Sequence, residues 1–562
     1  MEGLPTNFGL IKPKTEKPEV SLPTVIERNM KNVDLIVQEL EKAGVKWVFG
    51  VPSGPVLPFI DALEKTSVSY VLTASETSAG FMASVVGMMS GIPGVCISTL
   101  GPGATNMATG VGCAWLDGVP MIAITCNVPT PWLERRIQMR IDHHALFAPI
   151  TKASLPLRCD NVSAQLKEAF AIACAETPGP VHLDLPEDVG VAEAESIPHS
   201  VTASVLAPET KEPSGVIAAL KSALDESHHP LLMTGLGFTR TQEAGALLKF
   251  IERHNIPFIS TMHAKGWLPE GHPNWVGVLG RARRTNIQKF INQADLIIAV
   301  GYDPIEINYE EWAGDIPVLH IASEKADVGP GVRTIFNEGC DLNAAIRAIA
   351  DIPETHNSWS LEAWARHRDE FESALRPESH KLSAHHVLDA LRKLLPSEGV
   401  LVYDVGAHTH QIASQWRTDL PRTCISTNGW SSMGIGIPGA IAAKLVHPEK
   451  VVVGVVGDGC FQMTVGELNV LRRLDLQLPI IVLNDGWLAL IKLKQQGKHF
   501  GLAGSFLGSQ PKSPAEYFGV PCRAIRDQSS LQTGLEWAFN LNGPSVLEAF
   551  IDPESYAYTV YD

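Results

Sequence analysis

The chain of 562 residues contains no C-x-x-C pair, and its nine cysteines (96, 113, 126, 159, 174, 340, 424, 460 and 522) are scattered and odd in number. That spacing and the odd count do not suggest a disulfide framework, so a reducing, cytoplasmic setting is expected. A basic excess is missing too. Lys and Arg number 45 against 61 Asp and Glu, a formal charge of -16, which argues against the basic patches a nucleic-acid partner would need. Residues 1–24 lack an apolar core segment. Their Lys12, Lys14, Lys17 and several prolines read as a flexible N-terminal arm, neither a secretory signal nor a membrane span. With 45% apolar and 19% charged residues, what remains is the composition of a multidomain globular enzyme with no membrane partner.

What is present is organised around Val451 to Trp487. An apolar, β-branched run, Val451 to Val456, reads as a buried strand that breaks at Gly457-Asp458-Gly459. A helix is expected next, with Thr464 and Glu467 in the T-x-x-E spacing of a capping box and Val465, Leu468 and Leu471 on its apolar face. A second buried strand, Pro479 to Leu483, ends at Asn484-Asp485-Gly486. In a parallel β-loop-α-β unit both strands point their carboxyl ends the same way, which brings Asp458 and Asp485 to one place. Two oxygen ligands beside glycines and a helix start suit a magnesium-bound diphosphate.

This run resembles the GDG-x(n)-N signature of thiamin diphosphate enzymes, in the acetolactate synthase and 2-oxo-acid decarboxylase group. The resemblance implies that Asp458, Asp485 and the backbone carbonyl of Trp487 hold Mg2+, while Gly457, Gly459 and Cys460 face the cofactor. The family has Asn where Asp485 stands. Two registers therefore stay open: an anionic ligand at Asp485, or Asn484 in its place.

Further motifs extend the likeness over about residues 30–555. A strand, Trp47 to Val51, runs into Pro52-Ser53-Gly54-Pro55, where a ligand can lie against backbone. Glu76 stands at a strand-to-helix junction, where a carboxylate is either a helix-start residue or a working group with a tunable pKa. In Ser75-Glu76-Thr77-Ser78-Ala79-Gly80-Phe81 it matches the family glutamate, which hydrogen-bonds the aminopyrimidine ring and so activates the cofactor. Leu100-Gly101-Pro102-Gly103-Ala104-Thr105-Asn106 resembles the GPGATN segment of acetolactate synthases. Gln138 aligns with a glutamine on the substrate side. Beside it, His143 reads either as a proton carrier or as part of a solvated, charge-rich connection with Arg136, Arg140 and His144. Downstream, Asp404-Val405-Gly406-Ala407-His408 matches the D-V-G-x-H segment that contacts the diphosphate, and Met433 the apolar residue that props the cofactor.

The expected fold class is α/β, three doubly wound parallel-sheet domains: pyrimidine-binding (25–195), middle (210–355, with strands near 230, 257, 294 and 318) and diphosphate-binding (380–562), with a linker at 190–212. Gly235-Leu236-Gly237 alone is weak ground for a dinucleotide, and FAD is expected to be absent. The implied reaction is decarboxylation of a 2-oxo acid with carboligation to a 2-hydroxy-ketone. The alternative is a non-ligating decarboxylase or lyase of the benzoylformate type. Family members assemble the site from two chains, so a homodimer or homotetramer is expected.

Overall fold

The structure is a computed structural model and describes residues 30–194, 212–307, 310–508 and 518–560. The N-terminal arm and most of the 190–212 linker lie outside the described residues. Three six-stranded sheets follow one another along the chain, one in each expected unit, and every strand pair is parallel. Parallel strands need helical crossovers, and helices on both faces bury the strands on both sides. That is why Met121–Asn127 and Pro479–Asn484 are buried along their whole length.

The first sheet runs Ser69–Leu72, Trp47–Gly50, Gly94–Ser98, Met121–Asn127, Pro180–Pro186, Ala153–Pro156 from edge to edge. The third runs Cys424–Ile425, Val400–Tyr403, Val452–Gly457, Pro479–Asn484, Ser545–Phe550, Cys522–Ile525. Counted in chain order, both are second, first, third, fourth, sixth, fifth. The middle sheet differs: Thr334–Phe336, Val318–Ile321, Leu296–Val300, Pro230–Thr234, Phe258–Ser260, Trp275–Val278, which is the dinucleotide-fold order with its switch between the first and fourth strands.

First and third units share a core. Helix Glu76–Ser90 packs on helix Pro102–Leu116 so closely that a Cβ on Gly80 would stand 2.8 Å from the Cα of Gly110. Its other side meets helix Gly436–Val446, where Phe81, Val85, Ile437, Ala440 and Ile441 are fully buried in one cluster. Each such large side chain contributes about 1.5–3 kcal/mol on burial. No helix among the described residues is long and apolar enough to cross a membrane.

Two local readings change. Helix Asp458–Thr464 starts directly at the strand end, and Thr464 closes it instead of capping the next. Helix Glu467–Arg473 has Gly466 at its N-cap and so no side-chain cap, and the Glu467 carboxylate accepts the N–H of Ala74 at 3.0 Å, in the first unit.

Candidate active site

The first unit offers one carboxylate. Ser75 caps helix Glu76–Ser90 by accepting the Ser78 N–H, which makes Glu76 the first helical residue, at the carboxyl edge of the sheet. Asn106 Nδ2 donates to Glu76 Oε2 at 3.1 Å, and the Asn106 carbonyl accepts the Thr77 hydroxyl at 2.7 Å. A Cβ on Gly103 would stand 3.2 Å from Glu76 Oε1, so this glycine gives the carboxylate its room. Gly54 opens a short turn after the strand Trp47–Gly50, and a Cβ there would meet open space.

The turn before Gly103 is anchored from below. Gly101 (φ 62) donates its N–H to His143 Nε2 at 3.3 Å, and His143 Nδ1 lies 2.9 Å from Asp184 Oδ1. An acceptor at Nε2 places the ring proton on Nδ1, facing Asp184. Burial alone would raise Asp184, but hydrogen bonds from His143 and Asn127 outweigh it and hold it below the usual range. His143 is 1% exposed and both its ring nitrogens are engaged. That corrects the reading of His143 as a proton carrier: no ring nitrogen is free to face a substrate. Gln138 and Arg136 are exposed, and the carbonyl of neighbouring Met139 would lie 2.2 Å from a Cβ on Gly101, so the Gln138 turn rests on the Gly101 turn.

The third unit concentrates acids. Strands Val452–Gly457 and Pro479–Asn484 are adjacent with Gly457 opposite Leu483, so Asp458 and Asp485 leave the sheet side by side. Asp458 accepts the N–H groups of Gly459 (3.0 Å) and Gly486 (2.9 Å). Asp485 accepts Trp487 N–H at 2.8 Å. Burial pushes Asp458 up to about 6, and burial together with the Asp458 charge pushes Asp485 up to about 8. Asn484 is turned to the protein, with Nδ2 on Glu548 (2.8 Å) and Oδ1 accepting Gly486 N–H (3.1 Å).

Around these acids lies a glycine cradle. The His408 ring sits between Gly406 and Gly457, about 3.0 Å from where a Cβ on either would be. Its buried Nε2 has no partner among the described residues, and burial holds the ring neutral, at about 4. Ala407 opens the helix Ala407–Gln415. Cys460 points its thiol at the Val405 carbonyl (3.0 Å), so only its backbone faces outward. The Met433 methyl would stand 3.2 Å from a Cβ on Gly459. Two adjacent acids, Asp458 buried and Asp485 half-buried, an orphaned imidazole nitrogen and glycines bare of side chains fit a magnesium-bound diphosphate.

Sequence reading missed Asn106, whose signal was its place in the GPGATN segment. It also missed Asp404, which ties the 404–408 and 433–436 segments together by accepting N–H groups from Val405, Gly434 and Gly436 (2.7, 2.8 and 2.7 Å).

The paired half-sites and three sheets define a class. Residues 30–146, 217–349 and 404–549 match the N-terminal TPP binding, central and C-terminal TPP binding domains of thiamine pyrophosphate enzymes, and the chain belongs to that family. It is therefore a thiamin diphosphate-dependent enzyme acting on carbon–carbon bonds. Within the family it is similar along its length to acetolactate synthases. It is 30% identical to a probable acetolactate synthase large subunit of Methanocaldococcus jannaschii, over 93% of this chain and 92% of that one. The acetolactate synthase isozyme 1 large subunit of Escherichia coli (28%; 95% and 96% covered) and the acetolactate synthase of Bacillus subtilis (28%; 93% and 93%) are similar to the same degree.

Proposed function

We propose that the enzyme decarboxylates a 2-oxo acid and joins the remaining acyl unit to a second carbonyl, giving an acetolactate-type 2-hydroxy-ketone. The end-to-end likeness to acetolactate synthases, with both half-sites intact, carries this reading. Asp458, Asp485 and the Trp487 carbonyl would hold Mg2+. Asp485 is preferred over Asn484 because the Asn484 side chain is already spent on Glu548 and Gly486. Gly406, Ala407, His408, Gly457, Gly459 and Cys460 would take the diphosphate, and Met433 would support the cofactor's bend. Bound there, the cofactor supplies a nucleophilic carbon for the substrate carbonyl and a sink for the electrons released with CO2.

The chain's own residues orient and move protons. Glu76, steadied by Asn106, would hydrogen-bond the aminopyrimidine ring nitrogen and favour the tautomer that keeps a proton there. Asp184 and His143 fix the Gly101 turn that leaves room for the Glu76 carboxylate, and Gln138 faces the substrate above that turn. Exposed apolar side chains stand near each half-site: Leu57 and Trp132 near the first, Met463 and Phe506 near the third. Their cover is a second copy, with Glu76 of one chain completing Asp458 of another, so the enzyme is at least a homodimer. Nine scattered cysteines with no C-x-x-C pair fit a reducing compartment.

The alternative is a non-ligating decarboxylase or lyase. Incubation of the purified chain with pyruvate, thiamin diphosphate and Mg2+, assayed for acetolactate and acetaldehyde, separates the two. Acetolactate is the expected product. Turnover of aromatic 2-oxo acids but not of pyruvate would replace the first reading with the second.

A further inference from the structure

The middle sheet has the strand order of a dinucleotide fold, and its crevice opens between Pro230–Thr234 and Leu296–Val300. A phosphate placed there would draw hydrogen bonds from Gly235-Leu236-Gly237, the turn after the first strand. All three amides are already used. Gly235 N donates to the Val300 carbonyl (3.0 Å), Gly237 N to the Gly301 carbonyl (2.7 Å), and Leu236 N to the carboxylate Oε2 of Glu306 (2.8 Å). That oxygen would lie 2.7 Å from a Cβ on Gly235, as close to the glycine as a ligand phosphate would come. Room is not what is lacking: a cavity of about 840 Å³ opens beside the turn, lined by Leu236, Arg240, His263 and Trp267 among others. Free phosphate-binding amides are.

The second oxygen of Glu306 faces another acid through one imidazole. Glu306 Oε1 lies 3.3 Å from His263 Nδ1, and His263 Nε2 lies 3.4 Å from Asp117 Oδ1, all three side chains being buried. Burial would push His263 down, but the hydrogen bond with Glu306 and the charges of Asp117 and Glu306 outweigh it and raise the ring to about 10. Asp117, just past helix Pro102–Leu116 of the first unit, reaches into the third. It accepts the Thr427 hydroxyl (2.5 Å) and the N–H groups of Asn428 (3.2 Å) and Gly429 (2.8 Å). From the other side, the Glu306 carbonyl accepts Asn428 Nδ2 at 2.8 Å. The segment that leads to Met433 is thus held by the first and middle units at once. Burying an ion triad is a costly way to hold a core, where apolar packing of the same volume is often as stable, and its best use is to fix one geometry.

We propose that the Glu306 carboxylate takes the phosphate position at the Gly235-Leu236-Gly237 turn of the middle unit, and that Glu306, His263 and Asp117 together position the Thr427–Met433 segment in place of a bound nucleotide. The first half stands by itself; the second rests on the thiamin diphosphate reading. In the triad His263 is a positioning residue, remote from the reacting atoms and acting through Asn428 and Gly429.

The test uses the full chain, freed of small molecules. Titration calorimetry with FAD and with ADP, each to about 1 mM, should show no binding to the wild type, and saturable binding of either overturns the occupied phosphate position. Glu306→Gln and His263→Gln should each weaken thiamin diphosphate about tenfold or more, and the double variant should be no weaker than the weaker single. Wild-type affinity in the singles, or losses that multiply, overturn the positioning role. Trp430, two residues beyond Asn428, reads the same segment without cofactor. Its emission, taken as the difference from Trp430→Phe, should shift in both single variants, and no shift in either counts against the triad. A wild type that binds no thiamin diphosphate would overturn the proposed function, while the nucleotide titration and the Trp430 emission would still decide this inference.

Discussion

The first and third units are the same scaffold put to different use. Both sheets have one strand order, and in both the third strand runs into glycines and a helix start at the carboxyl edge. After Gly94–Ser98 that turn is Leu100-Gly101-Pro102-Gly103, with no acid of its own; it makes room for Glu76 and brings Asn106 to it. After Val452–Gly457 it is Asp458-Gly459, with Asp485 arriving from the next strand. The difference is in how charge is met. Glu76 has an amide partner and partial exposure, whereas Asp458 is buried beside the half-buried Asp485 and both are pushed toward protonation. One edge carries a single carboxylate with an amide partner; the other sets two carboxylates against each other, which is where the proposed Mg2+ would sit.

That contrast can be broken at either edge. Glu76→Gln should leave thiamin diphosphate binding nearly intact and lower turnover about 10²–10⁴-fold, the usual range for a lost acid–base group. A fall in affinity with turnover preserved would assign Glu76 to the wrong half. Asp458→Ala should do the opposite, weakening magnesium-dependent cofactor binding by about 100-fold or more in a fluorescence titration.

A third change probes the seam between the units. Glu467 reaches across to Ala74, two residues before Glu76, and burial pushes its carboxyl from 4.5 up to about 7. A folded state that holds the proton more tightly than the unfolded one loses stability as pH rises through that window. Glu467→Gln should therefore match the wild type near pH 5 and exceed it by roughly 3 kcal/mol near pH 8. Thermal unfolding at the two pH values reads this, and an equal gain at both would contradict it. The smallest effect is expected of Asp485→Asn, which removes one of two mutually repelling charges and keeps an oxygen ligand. Cofactor affinity should change by less than about tenfold.

Much of the architecture was legible because strands buried on both faces leave continuous apolar runs, as at Val452–Gly457 and Pro479–Asn484. The short edge strands Ala153–Pro156, Cys424–Ile425 and Cys522–Ile525 were not, since their place depends on a neighbour's register and not on their own pattern. The T-x-x-E at Thr464 suggested a local cap, but the fold spends Glu467 on Ala74, 393 residues away in sequence. His143 shows the same limit. Residue type marks it as titratable, and only burial between Gly101 and Asp184 shows that its nitrogens are occupied. The triad of Asp117, His263 and Glu306 left no local signal, since its members come from two units and meet only in the folded chain.

The central claim, that the edge bearing Glu76 and the edge bearing Asp458 complete each other across two chains, has a direct test. Glu76→Gln and Asp458→Ala chains, each inactive alone, are co-expressed with different tags and the hybrid is purified through both. One of its two sites would then combine an intact first unit with an intact third unit, restoring about half of wild-type activity per dimer. A hybrid as inactive as its parents would place both halves of the site in a single chain and contradict the account.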